Sequence, residues 1–271
     1  MKSVYTGGEK VAEFESYDEL RVGDSKPAFI YEGNELVYPN PVKDGLVLWY
    51  DFSGRTNADG QRGIAEDLSG NGNHGTLQNF NYTPESGYDK NKLLFDGVDD
   101  YVESNSNFDG VYCLEATFNL YAENSYSSVL SSFNHAAGGQ GFVITTVSNG
   151  NFRVNRKSTP NNLEVSTFPF GEEIKIGSTY HIIAQFKYLK DDDYMLELYL
   201  NGEKFVEEKV SGFFNSGSML NSPVMVGKYS PPHNGYYYKK PIYSAKAYNR
   251  PLTPEEIEHN YAIEKERFGI E

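Results

Sequence analysis

Three loops in this sequence combine aromatic rings with short polar side chains, the residue types that contact sugars. Aromatic faces pack against the C–H surfaces of a sugar ring, and polar side chains hydrogen-bond its hydroxyls. The loop at 229–238 is the most aromatic of the three, and its prolines stiffen it. We therefore predict a carbohydrate site that contains Tyr126, Asn134, His135, Tyr229, His233, Tyr236 and Tyr237.

The same tyrosines also suit a second interpretation. Tyrosine is enriched at interfaces between proteins, where one end of the side chain packs and the other hydrogen-bonds. The sequence therefore leaves open whether these loops bind a glycan or join subunits.

Two turns rich in Asp, Asn and Gly offer the oxygen ligands that calcium prefers. They lie at 66–77 and 94–102. The prediction is a structural Ca²⁺ ion held by Asp67, Asn71, Asn73, Asp99 and Asp100. The alternative is that these residues occur here because tight turns favour them and their side chains bond their own backbone. The spacing differs from the diagnostic spacing of an EF-hand loop, so it does not identify a calcium site by itself. Both interpretations therefore remain open.

No group of residues in the sequence predicts an enzyme, and no catalytic residue is assigned. A retaining glycosidase needs two carboxyl groups roughly 5 Å apart on one face of a cleft. The carboxylates of 191–193 are consecutive, so in an extended chain they point to alternating faces. The histidines lack metal-ligand spacing, and there is no Gly-x-Ser-x-Gly motif.

Charge and composition exclude several classes of partner. The 271 residues include 24 Lys and Arg against 38 Asp and Glu, giving a formal net charge of −14. Such a field repels nucleic acid, and no apolar run has the ~18 residues that a membrane span needs. The first residues lack the apolar segment of a signal peptide, so we expect synthesis in a cytoplasm without classical export.

Short strands separated by turn residues predict an all-β fold, a two-sheet antiparallel sandwich. Asn-Gly pairs at 149–150 and 201–202 each predict a tight hairpin. Trp49 and Cys113 lie in apolar strands and are predicted to be buried. Strands are expected at 46–52, 92–95, 100–104, 111–120, 142–147, 152–155, 180–189, 195–200, 204–210, 224–227 and 242–248.

The C-terminal segment has the features of a capped helix. Thr253 suits the N-cap, Pro254 the first helical position and Glu256 the reciprocal position of a capping box. We predict one helix that covers the sandwich near its end.

The first forty residues differ from the rest. The pattern Tyr-x-Gly-x-Glu-x-Val occurs at 5–11 and again at 31–37, and each copy reads as a short hairpin. Ser16–Glu19 has the spacing of a capping box and predicts one helical turn. We predict a β-rich arm at 1–40 and a jelly-roll domain at 41–271. Isolated hairpins are marginal in water, so the arm is expected to pack on its own domain, on identical copies or in a larger assembly.

Several spaced motifs carry a family resemblance. The segments 45–52, 66–77 and 94–102, in that order, and the ending at 249–257 resemble a laminin-G-like domain of the concanavalin A-like lectin/glucanase superfamily. The resemblance implies a jelly roll that acts as a binding or structural module. The arm that leads into it resembles the N-terminal arms of tail and fibre proteins in phages of Gram-positive bacteria.

These resemblances imply a non-enzymatic virion protein of the tail, fibre or baseplate type. Its jelly roll would bind host cell-wall carbohydrate, and its arm would contact other virion proteins or identical subunits. One alternative is an assembly or decoration module that binds no glycan. Another is a cell-wall glycan hydrolase.

Overall fold

The computed structural model describes residues 2–6, 9–14, 28–32, 35–108, 110–121, 126–133, 141–148, 151–159, 162–169, 174–191, 193–211, 222–229 and 235–271. The chain forms two compact units, Met1–Pro41 and Val42–Glu271.

The first unit contains two antiparallel hairpins. β1 (Lys2–Thr6) pairs with β2 (Glu9–Phe14), and β3 (Ile30–Glu32) pairs with β4 (Glu35–Tyr38). Both repeats of the Tyr-x-Gly-x-Glu-x-Val pattern thus form the hairpins expected of them. The helical turn expected at 16–19 lies outside the described residues.

The second unit is a sandwich of two antiparallel sheets, as the sequence predicted. Its strands in chain order are β5 (Leu46–Asp51), β6 (Ile64–Ala65), β7 (Gly75–Gln78), β8 (Gly87–Asp89), β9 (Lys92–Asp96), β10 (Tyr101–Phe108), β11 (Cys113–Asn119), β12 (Ser127–Phe133), β13 (Gly141–Val147), β14 (Asn151–Thr159), β15 (Asn162–Pro169), β16 (Thr179–Lys190), β17 (Asp193–Leu200), β18 (Glu203–Ser211), β19 (Ser222–Val226) and β20 (Lys239–Tyr248).

The two sheets have the interleaved strand order of a jelly roll. Sheet I runs β15-β14-β13-β12-β19-β10-β7-β6. Sheet II runs β18-β17-β16-β11-β20-β9-β8, and β5 also pairs with β20. Strands distant in sequence are therefore neighbours in space, and residues from opposite ends of the chain meet on one face.

Alternation of apolar side chains builds the core between the sheets. On β14 of sheet I, Phe152 and Val154 face inward. On β17 of sheet II, Leu196 and Leu198 do the same. Burying such side chains contributes roughly 1.5–3 kcal/mol each, so this layer fixes the register of both sheets.

The helix α1 (Pro254–Phe268) begins and ends as the sequence indicated. Glu256 N donates to the Thr253 hydroxyl, and Thr253 N donates to the Glu256 carboxylate, so the capping box is complete. Gly269, with φ of 63°, ends the helix in a left-handed conformation that glycine adopts easily. Glu264 of α1 accepts hydrogen bonds from Thr117 and Ser244, which places the helix on the outer face of sheet II.

Several strands had no counterpart in the sequence analysis. They are β6, β7, β8, β12 and β15. β12 shows the reason, because serine occupies four of its seven positions. Those serines are buried by neighbouring chain segments, which local alternation does not reveal.

Trp49 and Cys113 are both buried, as predicted. Trp49 pairs in register with Lys246, so it lies on the outer face of sheet II rather than in the inter-sheet core. Cys113 is a free thiol whose pKa burial raises, which makes it unreactive.

Candidate functional site

The segment 227–238 is held against sheet I at both ends of its described part. Tyr238 N donates to Gly227 O over 2.8 Å, and Ser128 N donates to Tyr236 O over 2.8 Å. The Tyr238 side chain is fully buried, and its hydroxyl donates to Asn119 O over 2.6 Å. These bonds hold the backbone of the neighbouring tyrosines in place. Tyr236 has a φ of 59°, a conformation that costs a non-glycine residue free energy and is found at functional positions.

Five residues are joined by a chain of contacts on the outer face of sheet I and are here called the tyrosine cluster. The Arg153 guanidinium lies 4.8 Å from the ring centroid of Tyr126. The Tyr126 and Tyr236 centroids are 5.0 Å apart, and those of Tyr236 and Tyr229 are 5.4 Å apart. Asn155 Nδ2 donates to the Tyr229 hydroxyl over 3.4 Å. Arg153 and Asn155 are two residues apart on β14, so the two ends of this chain of contacts share one face of the strand.

Polar atoms without partners lie beneath this cluster. Ser131, Val143 and Asn155 are opposite one another on β12, β13 and β14, and Val143 packs against Tyr229. Ser131 and Asn155 are buried, yet Ser131 Oγ and Asn155 Oδ1 have no hydrogen-bond partner. A buried unpaired polar atom costs roughly 1–3 kcal/mol.

A second aromatic group, here called the lysine–tyrosine group, adjoins the cluster along the chain. Lys228 Nζ lies 3.9 Å from the ring centroid of Tyr101 and 5.5 Å from that of Tyr237. Burial lowers the pKa of Lys228, and the charge of Glu103 opposes this shift. Because residues 228 and 237 are next to Tyr229 and Tyr236, the two groups are continuous.

Three carboxylates lie at the start of β10. Ligand atoms of Asp96, Asp99 and Asp100 all fall within 4.8 Å of one another. Asp100 is fully buried, and its Oδ2 accepts from Asp96 N over 3.0 Å. Its Oδ1 accepts no hydrogen bond. Burial raises the pKa of Asp100 to about 6, against the lowering effect of the Ser86 hydroxyl and the Asp96 amide. Three oxygens this close, one of them unpaired, fit a calcium ion.

The turn at Asp67 is built differently. Asp67 Oδ1 accepts from the amides of Trp49 and Ser69, and Oδ2 accepts from the Ser69 hydroxyl and the Asn73 amide. All four bonds are between 2.8 and 3.0 Å long. These bonds use the lone pairs of both carboxylate oxygens, so Asp67 does not fit a cation.

The amides of Asn71 and Asn73 also bond the backbone. Asn71 Nδ2 donates to Leu46 O and Asn73 Nδ2 to Val47 O. The geometry thus favours the turn interpretation at Asp67, Asn71 and Asn73, whereas Asp99 and Asp100 stay predicted cation ligands, with Asp96 beside them.

The structure brings Tyr126, Tyr229 and Tyr236 into direct contact and puts Tyr237 on the adjoining group. The other predicted sugar contacts, Asn134, His135 and His233, lie outside the described residues. Sequence reasoning missed Tyr101, Arg153, Asn155 and Lys228, and it included Asp96 in the oxygen-rich turn without assigning it as a ligand. Arg153 and Asn155 alternate with the apolar Phe152 and Val154, a signal that they share the outer face of a strand.

A separate groove lies at the end of α1. It has a volume of about 1010 Å³, and Tyr261, Lys204 and Glu203 are among its lining residues. Lys204 is paired with Glu197 and Glu207 at 2.9 and 2.6 Å. The groove therefore offers fewer unsatisfied groups to a ligand than the tyrosine cluster does.

The fold has recognisable relatives. A laminin G model of the concanavalin A-like lectin/glucanases superfamily matches residues 96–258, more than half of the chain. The chain belongs to this superfamily. The resemblance found in the turn motifs is thus confirmed for the superfamily, whereas a phage setting stays a prediction. No curated protein matches the sequence significantly.

Two solved structures show the same fold at low sequence identity. A Trypanosoma rangeli sialidase in complex with sialic acid superimposes with a TM-score of 0.60 at 16% identity, over 82% of this chain and 33% of the sialidase. A botulinum neurotoxin serotype D ligand binding domain in complex with N-acetylneuraminic acid superimposes with a TM-score of 0.57 at 12% identity, over 82% of this chain and 51% of that domain. The chain thus spans about a third of the first structure and about half of the second.

Among the described residues, no helix combines the length and the apolar character that crossing a membrane requires.

Proposed function

We propose that the second unit is a carbohydrate-binding module and that the tyrosine cluster is its binding site. The observation that carries the proposal is the chain of contacts that joins Tyr126, Arg153, Asn155, Tyr229 and Tyr236 on the outer face of sheet I. Tyr236 is 38% exposed, so part of its ring is available to pack on a sugar. The superfamily contains lectins as well as glucanases, which agrees with this proposal.

The same surface supports binding rather than hydrolysis. Glu103 is the only carboxylate residue in the described strands β10, β12, β13, β14 and β19, which form this part of sheet I. Hydrolysis by the usual mechanism needs a pair of carboxyl groups that flank the bond. We therefore assign no catalytic residue.

The test is a single substitution with a matched control. Tyr236→Ala removes the exposed ring of the cluster, and we expect the affinity for purified Gram-positive cell walls to fall about tenfold, since a stacked ring contributes roughly 1 kcal/mol or more. Tyr188→Ala removes an exposed tyrosine from a hairpin end of sheet II and should leave affinity unchanged. A co-sedimentation assay with both variants measures this.

Two results would count against the proposal. Unchanged wall binding by Tyr236→Ala would exclude the cluster as the site. If that variant instead lost self-association, the tyrosines would form an interface between copies.

We further propose that Asp96, Asp99 and Asp100 hold a structural calcium ion. The support is the close approach of their oxygens and the unpaired Oδ1 of Asp100. Such an ion would supply positive charge at the start of β10, next to Tyr101.

We propose finally that the protein is a virion component of the tail, fibre or baseplate type. The support is the N-terminal unit, whose two hairpins match the arm expected from the resemblance to phage tail and fibre proteins. In this setting the jelly roll meets the host surface, and the arm contacts other virion proteins or identical subunits.

A further inference from the structure

We infer that the tyrosine cluster binds an anionic polysaccharide and that Arg153 pairs with its carboxylate or phosphate groups. This inference rests on the proposed function, because it names the ligand class of the same site.

Arg153 is the first observation. Its guanidinium lies over Tyr126 but makes no hydrogen bond or ion pair within the described part of the chain, and its Nε is buried without a partner. A guanidinium has five N–H donors in a planar fork that matches carboxylate and phosphate. Stacking on Tyr126 fixes the plane of the fork and leaves its N–H groups free for such an anion.

Lys228 is the second observation. Its side chain is only 8% exposed, and no described carboxylate lies within ion-pair distance of it. Its ammonium contacts the rings of Tyr101 and Tyr237 instead. The negative charge of Glu103 acts to raise the pKa of Lys228, but burial lowers it by more. The pKa of Lys228 therefore stays below its usual range. An unpaired ammonium in this position costs free energy that an anionic ligand would recover.

Several other cations of the sandwich show a different arrangement. Carboxylates are abundant in a chain of net charge −14, and these cations are paired with them. Examples are Lys187 with Glu197, Lys246 with Glu115 and Glu264, Arg250 with Glu256, and Arg267 with Asp51. Arg153 on Tyr126 and Lys228 on Tyr101 and Tyr237 are two unpaired cations on neighbouring tyrosine groups, and they therefore point to an acidic ligand rather than a neutral one.

The experiment uses the full chain and three immobilised probes. These are polygalacturonate, which carries carboxylates, poly(glycerol phosphate), which carries phosphates, and carboxyl-reduced polygalacturonate, which is neutral. We expect at least one anionic probe to bind about tenfold more tightly than the neutral one. The difference should shrink as salt is raised, because screening weakens the ion pairs. The anionic probe that binds more tightly shows whether the site prefers carboxylate or phosphate groups.

Variants assign the effect to Arg153. Arg153→Met keeps the length of the side chain and should weaken anionic binding about tenfold, whereas Arg153→Lys should restore part of it. Lys190→Met removes an exposed cation from a distant hairpin and should bind like wild type. The thermal midpoint of each variant shows that it is folded.

The outcomes separate the two proposals. If the neutral probe binds as tightly as the anionic ones, or if Arg153→Met binds like wild type, the inference on charge is wrong. If in that case Tyr236→Ala still loses binding, the proposed function stands. Wild-type protein that binds none of the three probes would overturn the inference, while retention on cell walls would still support a glycan site.

Discussion

Lys246 lies between two buried carboxylates on the outer face of sheet II. Its Nζ is 2.7 Å from Glu115 Oε1 and 2.7 Å from Glu264 Oε1, and all three side chains are at most 1% exposed. Asn260 and His181 complete the group through hydrogen bonds to Glu115 of 2.7 and 3.1 Å. Burial alone would raise the pKa of Glu115, but Lys246 and His181 outweigh it and lower that pKa to about 2. The group ties α1 to the sheet.

We predict that Lys246→Met destabilises the protein by about 3–5 kcal/mol, because it leaves two buried carboxylates without their cation. Chemical denaturation at pH 7 measures this. The stabilisation from Glu115 is present above its unfolded pKa of about 4.5 and is lost as the pH falls toward 2. The cost of the substitution should therefore shrink over that range.

Lys209→Met is the matched control. Lys209 is 56% exposed and pairs with Asp193 on a sheet edge, so water and salt screen the pair. Its stability should stay close to that of wild type. Equal losses in the two variants would contradict the argument.

At the scale of elements, two similar turns have different roles. In the turn at Asp67, hydrogen-bond donors of the protein occupy both oxygens of the Asp67 carboxylate. These bonds hold the chain in place between β6 and β7. The turn at Asp96–Asp100 leaves Asp100 Oδ1 unpaired between β9 and β10. Composition is similar in both, and the difference lies in which backbone amides reach the carboxylates.

We predict that calcium raises the thermal midpoint of the wild-type protein and that Asp99→Asn abolishes most of this rise. A ligand that binds only the folded state stabilises it, and each kcal/mol corresponds to about 2–4 °C in a domain of this size. Scanning calorimetry with calcium, with EDTA and with sodium chloride at matched ionic strength measures it. Asp191→Asn removes a charge from an exposed turn and should keep the full response. A wild-type protein that does not respond would refute the calcium site.

At the scale of the whole molecule, binding and assembly are proposed to lie in different units. Every residue of the large hydrophobic core falls between Leu48 and Ala247, within the second unit. The tyrosine cluster lies there too. The hairpins of the first unit are the part we propose for contacts with other subunits.

We predict that a Val42–Glu271 fragment folds and binds cell walls like the full chain, because it keeps the whole core and the whole cluster. We also expect the full chain, and not the fragment, to self-associate in light scattering coupled to gel filtration. A fragment that self-associates as the full chain does would remove the arm from assembly. A folded fragment that has lost wall binding would place the glycan site elsewhere.

The sequence by itself determined the class of fold. Hairpin signals such as Asn201-Gly202, the alternation of β17 and the capping box at Thr253 are local, and each was realised as expected. Local chemistry decides them because turn geometry and side-chain alternation depend on residues a few positions apart. The aromatic character of Tyr126, Tyr229 and Tyr236 was visible in the same way.

Only the tertiary structure decided which of these residues meet. Arg153 and Asn155 join the tyrosines because β14 lies beside β13 and because Tyr229 packs on Val143 of β13. The unpaired oxygen of Asp100 and the filled carboxylate of Asp67 likewise depend on backbone amides brought together by the fold. Contacts across a jelly roll join residues distant in sequence, and no local pattern encodes which side chains they leave without a partner.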